Sequence, residues 1–501
     1  MSFNSLEFLL FLPVVLLLYW LLPHKFRWAW LLLASYYFYM SWNPWLVFLI
    51  LGTTLVSYGA GLLISKTQNV KIKKLLLAIT VIVCLGILVF FKYFNFLIQS
   101  AIDFLNLFSL NINSVSLDII LPIGISFYTF QTLSYVIDVY RGKILPEKHF
   151  GYYALFVSYF PQLVAGPIER PGDLLPQLHA PQKLSSEDIS AGLRVLLTGF
   201  FRKCVVADFC GICVNSVFSN IDSANSLAVA LAGALFLVQI YCDFAGYSEI
   251  AMGAARLMGV KLSKNFDRPF LSVSATEFFR RWHITLGKWF TDYLYIPLGG
   301  NRKGLPRKIL NTFIVFGLCG LWHGANWTYL FWGLWLATLI GIESACRKPL
   351  TKFCDNMGIN LKNPAVMLAR RVLFFIMLIP SALLFRANSL ADFGQLFVRL
   401  FTDIGFGSAY FASAFSSLSL TAVGFAELLL SIVCMGLIHD FCEFGRVEAK
   451  GLYPLIKPQS AARARYAQRI AVYLYAVLAV GICWIYLLST GDISSFTYFQ
   501  F

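Results

Sequence analysis

The sequence predicts an all-α, polytopic membrane protein of about 11 to 12 spanning helices, with re-entrant and interfacial helices around a central cavity. Three observations predict it. Hydrophobic residues make up 58% of the 501 and charged residues only 13%, about half the charge that keeps a soluble domain wet. The run from Trp28 to Ser65 carries no charge at all and has room for two short crossings, each needing about 20 apolar residues, on either side of Asn43-Pro44. Between residues 117 and 300 the apolar segments are interrupted by Pro, Gly and charge, as in "YFPQLVAGPIERP" (159–171) and "QIYCDFAGYSEIAMG" (239–253). Broken backbone at membrane depth survives only where protein or a water-filled cavity satisfies it.

The elements follow in order. "LEFLLFLPVVLLLYWLL" begins without a basic n-region and reads as a retained first helix. The loops 65–74, 141–148, 301–308, 347–352 and 446–469 are basic and are expected on the cytoplasmic side, whereas 100–118 and 402–422 contain no Lys or Arg and are expected outside. A helix over 469–488 then delivers "STGDISSFTYFQF" to the outer face. Residues 1–489 thus form one transmembrane domain with its central catalytic region at about 117–345, and 490–501 an extracytoplasmic aromatic tail. By composition this tail is an interfacial anchor.

The net charge of +15 sits in loops rather than on one face, which argues for a lipid bilayer as partner and against nucleic acid. No fixed-period repeat points to an inverted-repeat transporter. Of the 11 cysteines, Cys84, Cys319, Cys434 and Cys483 lie inside apolar runs as small hydrophobes. Cys210 and Cys213 have the spacing of half a metal site, and no second pair completes it, so no metal is expected.

Two of the six histidines stand out. His323 follows the apolar stretch "ILNTFIVFGLCGLW" and precedes the helix-breaking "GAN", so an ionisable group lies within the membrane, where it is a functional candidate by default. His283 sits in "EFFRRWHITLGKWFTDYLY", where Arg280, Arg281, Lys288 and Asp292 are too polar for lipid; this stretch lies across the cytoplasmic mouth or lines the cavity. His24, His149, His179 and His439 read as structural or solvated. Asp243 and Glu249 read as a hydrogen-bonded cluster, and Asp138 and Arg141 as an ion pair at the cavity edge.

The strings "LPIGISFYTFQTLSYVIDVYRG", "FPQLVAGPIERP", "DFAGYSEIAMGAARLMGVKLSKNFDRPF", "FFRRWHITLGKWFTDYLYIPLGGNR" and "GLWHGANWTYLFWGLW", in this order, resemble the membrane-bound O-acyltransferase (MBOAT) family, in its bacterial alginate O-acetyltransferase-like branch. The resemblance implies the MBOAT fold, a multi-pass protein of the bacterial cytoplasmic membrane, His323 as catalytic histidine and His283 as second polar residue of the site. One departure is Leu336, where relatives often carry a His, so a third essential histidine is not expected.

The resemblance further implies acyl transfer, most simply of acetyl, from a cytoplasmic thioester to an outward hydroxyl for O-acylation of an extracellular polysaccharide. No bound cofactor is implied; acetyl-CoA or an acyl carrier thioester is the substrate. Arg280, Arg281, Lys288, Arg302 and Lys303 are candidates to hold its phosphates or an acidic carrier, with Asn326, Trp322 and Asp243 as further substrate contacts. Tyr498 would briefly carry the acyl group, flanked by Phe496, Phe499 and Phe501. An outward-facing serine hydrolase-like (SGNH-type) transferase would then pass it to the polymer. D-alanyl transfer to teichoic acid from a carrier protein is the alternative of like chemistry, and a lipid-linked sugar transporter or flippase the alternative of another class.

Overall fold

The computed structural model describes residues 1–443, with side chains as far as Met435; the described residues are helical and contain no strand. The basic loop 446–469, the helix expected over 469–488, the tail with Tyr498 and the side chain of His439 lie outside the described residues.

Helices α1 (Leu6–Leu21) and α2 (His24–Met40) form a first hairpin, in which Trp30 Nε1 donates to the Val15 carbonyl. Asn43 caps a single 3-10 turn at Pro44–Leu46, its side chain accepting from the Trp45 N–H, so the charge-free run divides where expected. Helix α3 (Val47–Lys66) and the 37-residue α4 (Val70–Asn106) follow.

Helix α5 (Ile125–Tyr140) is the centre of the molecule, with almost every residue buried, including Thr129, Gln131, Thr132 and Ser134. It starts at Gly124, whose φ of 76° and close approach to the Leu163 carbonyl, 2.6 Å from where a Cβ would stand, both require glycine. Helices α6 (Phe150–Ser158), α7 (Phe160–Leu163) and α8 (Pro171–His179) take the chain through the interrupted region around 159–171. The breaks are satisfied by protein: Phe160 N–H donates to Ser35 Oγ and Gln162 Nε2 to the Phe156 carbonyl.

Helix α9 (Ser186–Phe200) runs through a π-helical turn at Phe201–Ala207 into α10 (Asp208–Ser219) and packs against the 32-residue α11 (Ser226–Leu257). The two backbones meet at paired glycines, Gly192 with Gly253 and Gly199 with Gly246, the small-residue contact by which membrane helices approach closely. At this seam Lys203 pairs with Asp208 and Asp243, and Arg202 with Glu249.

Short helices α12 (Ala275–Arg281) and α13 (Ile284–Phe290) and a π turn at Thr291–Tyr295 lead to α14 (Gly304–His323), α15 (Trp327–Asn356) and α16 (Pro364–Arg386). Helices α17 (Leu390–Arg399), α18 (Ser408–Ser417) and α19 (Ala422–Glu443) complete the described chain.

Among the described residues five helices are long and apolar enough to cross a bilayer, and the pair α18 and α19, bent by 69°, makes a sixth if counted as one span. The helix expected over 469–488 lies outside the described residues, and α1, α2 and α5, at 16 or 17 residues, are shorter than the helices of this count. Two local expectations change as well. Arg141 does not pair with Asp138: it donates to the Asp292 carbonyl and stacks over Tyr293, while Asp138 accepts from Tyr293 Oη and lies 3.8 Å from Lys143. Helix α14 begins at Gly304, inside the basic loop, so its 20 residues are longer than the apolar stretch alone.

Candidate active site

His323 is the last residue of α14, and Gly324 turns extended to end the helix. Asn326 then caps α15, its Oδ1 accepting from Thr328 N–H and its Nδ2 donating to the Asn388 carbonyl. The two helices form an antiparallel hairpin that closes at Gly320, where a Cβ would stand 2.1 Å from the Tyr329 carbonyl, and at Gly333, equally near the Phe316 carbonyl. This tight closure sets the imidazole on the inner side of the hairpin, edge-on to Trp322, Trp332 and Phe385 at 5.0, 5.1 and 5.4 Å between ring centres. Only 8% of the residue is exposed.

His283 arrives by a different route. It joins α12 to α13 with φ 44° and ψ 54°, a left-handed conformation uncommon outside glycine. Asn265 stabilises it from the adjacent coil. The Asn265 carbonyl accepts from Ile284 N–H at 2.8 Å, and its side-chain Oδ1 lies 3.1 Å from His283 Nδ1 and accepts from Thr285 Oγ1 at 2.9 Å. Since that oxygen is an acceptor, Nδ1 carries the proton. Nε2 is left as a buried lone pair with no hydrogen-bond partner among the described residues. The Trp322 indole lies between the histidines, 5.0 Å from His323 and 5.9 Å from His283.

Both histidines line a cavity of about 540 Å³. It runs beside α14 from Asn301, Lys308 and Ser344 to His323, a stretch of about 22 Å at 1.5 Å per helical residue. Arg280, Lys288 and Lys308 line it toward the basic loops, and Phe290, Val315, Phe316 and Trp332 line its apolar walls. The carboxylate of Asp292, also in the lining, pairs with Arg170 at 3.0 Å. A second cavity of about 130 Å³ is lined by Lys92, residues 121–127, Val164, Trp322 and His323. It adjoins the loop 100–118, which carries no basic residue, and Leu121 on its rim is 39% exposed. His323 is thus common to both cavities.

The structure brings together His323, His283, Trp322, Arg280 and Lys288. Five expected contacts fall elsewhere. Arg281 turns back one helical turn to Glu277, at 2.9 Å, because its neighbour Arg280 occupies the cavity side. Asn326 is used as a helix cap and lines neither cavity. Asp243 pairs with Lys203 at 3.0 Å and lines neither. Arg302 and Lys303 are exposed outside the lining, and Lys308 stands in their place.

Sequence reading missed Lys92 and Asn265. A lone charge inside the apolar "LGILVFFKYFNFL" was the signal for the first; an asparagine in a coil gives none. His24, His149 and His179 cluster on the side of the loop 141–148: His149 accepts from Tyr152 N–H to cap α6, His179 lies 2.7 Å from Glu147, and His24 lies against the His179 carbonyl. Outside the spanning segments, burial pushes the Glu169 carboxyl up to about 7 although it accepts from Ser263 N–H and Oγ.

The family model for "MBOAT, membrane-bound O-acyltransferase family" matches residues 147–385. The chain is 34% identical over 507 residues to a probable alginate O-acetylase of Pseudomonas putida, covering 100% of both chains. It is 35% identical over 385 residues to a peptidoglycan O-acetyltransferase of Helicobacter pylori, covering 70% of this chain and 72% of the relative. A teichoic acid D-alanyltransferase of Bacillus subtilis is 26% identical over 231 residues, 44% of this chain and 58% of the relative.

Proposed function

The chain belongs to the membrane-bound O-acyltransferase family and is a multi-pass membrane O-acyltransferase, and from this premise we propose that it takes an acetyl group from a cytoplasmic thioester and hands it outward for O-acetylation of an extracellular polysaccharide. The observation that carries this reading is the position of His323 at the meeting of two cavities of different size.

The larger cavity suits the donor. Phosphates of acetyl-CoA, or of a carrier protein's prosthetic arm, meet Arg280, Lys288 and Lys308 at the basic end, and the apolar walls take the arm and thioester. No resident cofactor is required, because the donor is a substrate. The Nε2 lone pair of His283 is an acceptor for an amide N–H of that arm, which makes His283 an orienting group.

The smaller cavity suits an aromatic acceptor. At about 130 Å³ it compares with the roughly 150 Å³ apolar cavity that binds one benzene, so a phenol ring enters and a polysaccharide chain does not. Tyr498 is the proposed first acceptor: its phenol, with an unperturbed pKa of about 10, deprotonates more easily than a sugar hydroxyl and gives a more reactive ester.

In the reaction His323 takes the acceptor's proton, the oxygen attacks the thioester carbonyl carbon, and the tetrahedral oxyanion collapses with cleavage of the C–S bond. The departing thiolate receives the proton back from the imidazolium. A second, outward-facing serine hydrolase-like (SGNH-type) enzyme then moves the acetyl group from the phenol ester to the polymer.

The test is acyl transfer from labelled acetyl-CoA by membranes holding the full chain, with mass spectrometry of the C-terminal peptide. His323→Ala should lose at least about 100-fold in rate, and the wild type should accumulate acetyl-Tyr498. Wild-type transfer by His323→Ala removes His323 as the base, whereas no acyl transfer from the wild type, with a lipid-linked sugar still passed across the membrane, favours the carrier. An unmodified tail, with full activity in Tyr498→Phe, removes the relay and leaves the transferase. A D-alanyl carrier thioester in the same assay separates acetyl from D-alanyl transfer.

A further inference from the structure

Lys92 is the one charged side chain among the residues lining the outward cavity. It lies in the apolar α4, and no acidic side chain pairs with it among the described residues. Instead its Nζ donates to the carbonyls of Trp322 at 2.6 Å and His323 at 3.0 Å. The next residue, Tyr93, donates through Oη to the Leu321 carbonyl at 2.6 Å. Two consecutive residues of α4 therefore bind the last three carbonyls of α14, which a helix leaves without intrahelical partners.

Capping alone does not call for a cation. Tyr93 performs it with a neutral hydroxyl, and a charge inside a bilayer is among the costliest groups to place there. Lys92 differs from Tyr93 in two respects: it lines the acceptor cavity, and an ammonium has three N–H donors, of which the two carbonyls use two. The negative end of the α14 dipole favours a positive charge at this spot.

We propose that Lys92 is a further residue of the catalytic site, its ammonium stabilising the acceptor oxygen as that oxygen loses its proton to His323. This rests on the acyl-transfer reading above. Lys92 stays protonated throughout: His323 receives the proton, and the cation offsets the negative charge that gathers on the attacking oxygen and, after attack, on the carbonyl oxygen. Cation and base stand on adjoining sides of one cavity.

Two variants separate charge from capping. Lys92→Gln keeps hydrogen-bond donors and removes the charge; Lys92→Arg keeps both. In the labelled acetyl-CoA assay Lys92→Gln should lower kcat on the order of 100-fold, with KM for the donor within about twofold because the donor occupies the other cavity. Lys92→Arg should recover most of the loss. Wild-type kcat in Lys92→Gln assigns the residue to capping and overturns the proposal, as does Lys92→Arg being no better than Lys92→Gln. Should Lys92→Gln fail to fold by thermal unfolding in detergent, Lys92→Met, which removes charge and donors together, takes its place: wild-type kcat overturns the proposal, a lower kcat with an unchanged unfolding midpoint supports it, and a lower kcat with a lower midpoint assigns the residue to capping. An inactive His323→Ala beside a fully active Lys92→Gln refutes this proposal alone; a fully active His323→Ala refutes the role of His323 as base on which this proposal rests.

Discussion

Asn265 bears on His283 more than any residue adjoining that histidine in sequence. Its backbone carbonyl and side-chain oxygen hold Ile284, Thr285 and the imidazole, and its Nδ2 donates to Ser248 Oγ at 3.2 Å. Replacing it removes support from a left-handed residue and leaves buried donors unmatched, at about 1–3 kcal/mol. Asn265→Ala should therefore lower the thermal unfolding midpoint and reduce acyl transfer at least about tenfold, with Asn265→Asp recovering part of both. The two histidines were legible in the sequence because an imidazole beside a helix break, or amid charges in an apolar region, has few uses. Their supports were not. Arg281 stands two positions from His283 yet turns to Glu277, since adjacency along the chain does not fix which way a side chain faces. The two oxygens of Asn265 act across 18 to 20 residues, a separation that coil sequence does not encode.

At the scale of elements, the α14–α15 hairpin depends on two glycines and tolerates change at a third. At Gly320 a methyl would strike the Tyr329 carbonyl at 2.1 Å, whereas at Gly317 it would meet only the Leu330 and Leu334 side chains at 3.6 Å. Gly320→Ala should force the helices apart at about 1–3 kcal/mol and displace His323, seen as a lower unfolding midpoint and lost activity. Gly317→Ala should be neutral or stabilising by up to about 1 kcal/mol, since alanine is the better helix former. Elements that face lipid, such as α3 and α4, were legible as apolar runs, whereas the 239–253 segment read as an interruption lies inside the continuous, mostly buried α11. The nearly encased α5 and the fragments α6 to α8 were legible only as interruptions. A helix surrounded by protein can carry Gln131 and Thr132 as readily as leucine, and hydropathy cannot tell it from a loop.

Across the whole molecule, the two cavities predict two separate approaches to one imidazole. Cysteines at Ser344, on the inner cavity, and at Leu121, on the rim of the outer one, report them directly. A membrane-impermeant maleimide should label Ser344→Cys only in inside-out vesicles and Leu121→Cys only in right-side-out vesicles, in a background with the exposed Cys346 replaced by Ser. Labelling of both from one side would mean that the cavities share a face. Their separation has a bearing on the cell beyond acylation. A continuous water channel through this protein would short-circuit the ion gradients on which a living envelope runs. The edge-on packing of Trp322, Trp332 and Phe385 around His323 would make the proposed base also the stopper, so that an acyl group could be relayed while the electrical insulation of the bilayer is kept.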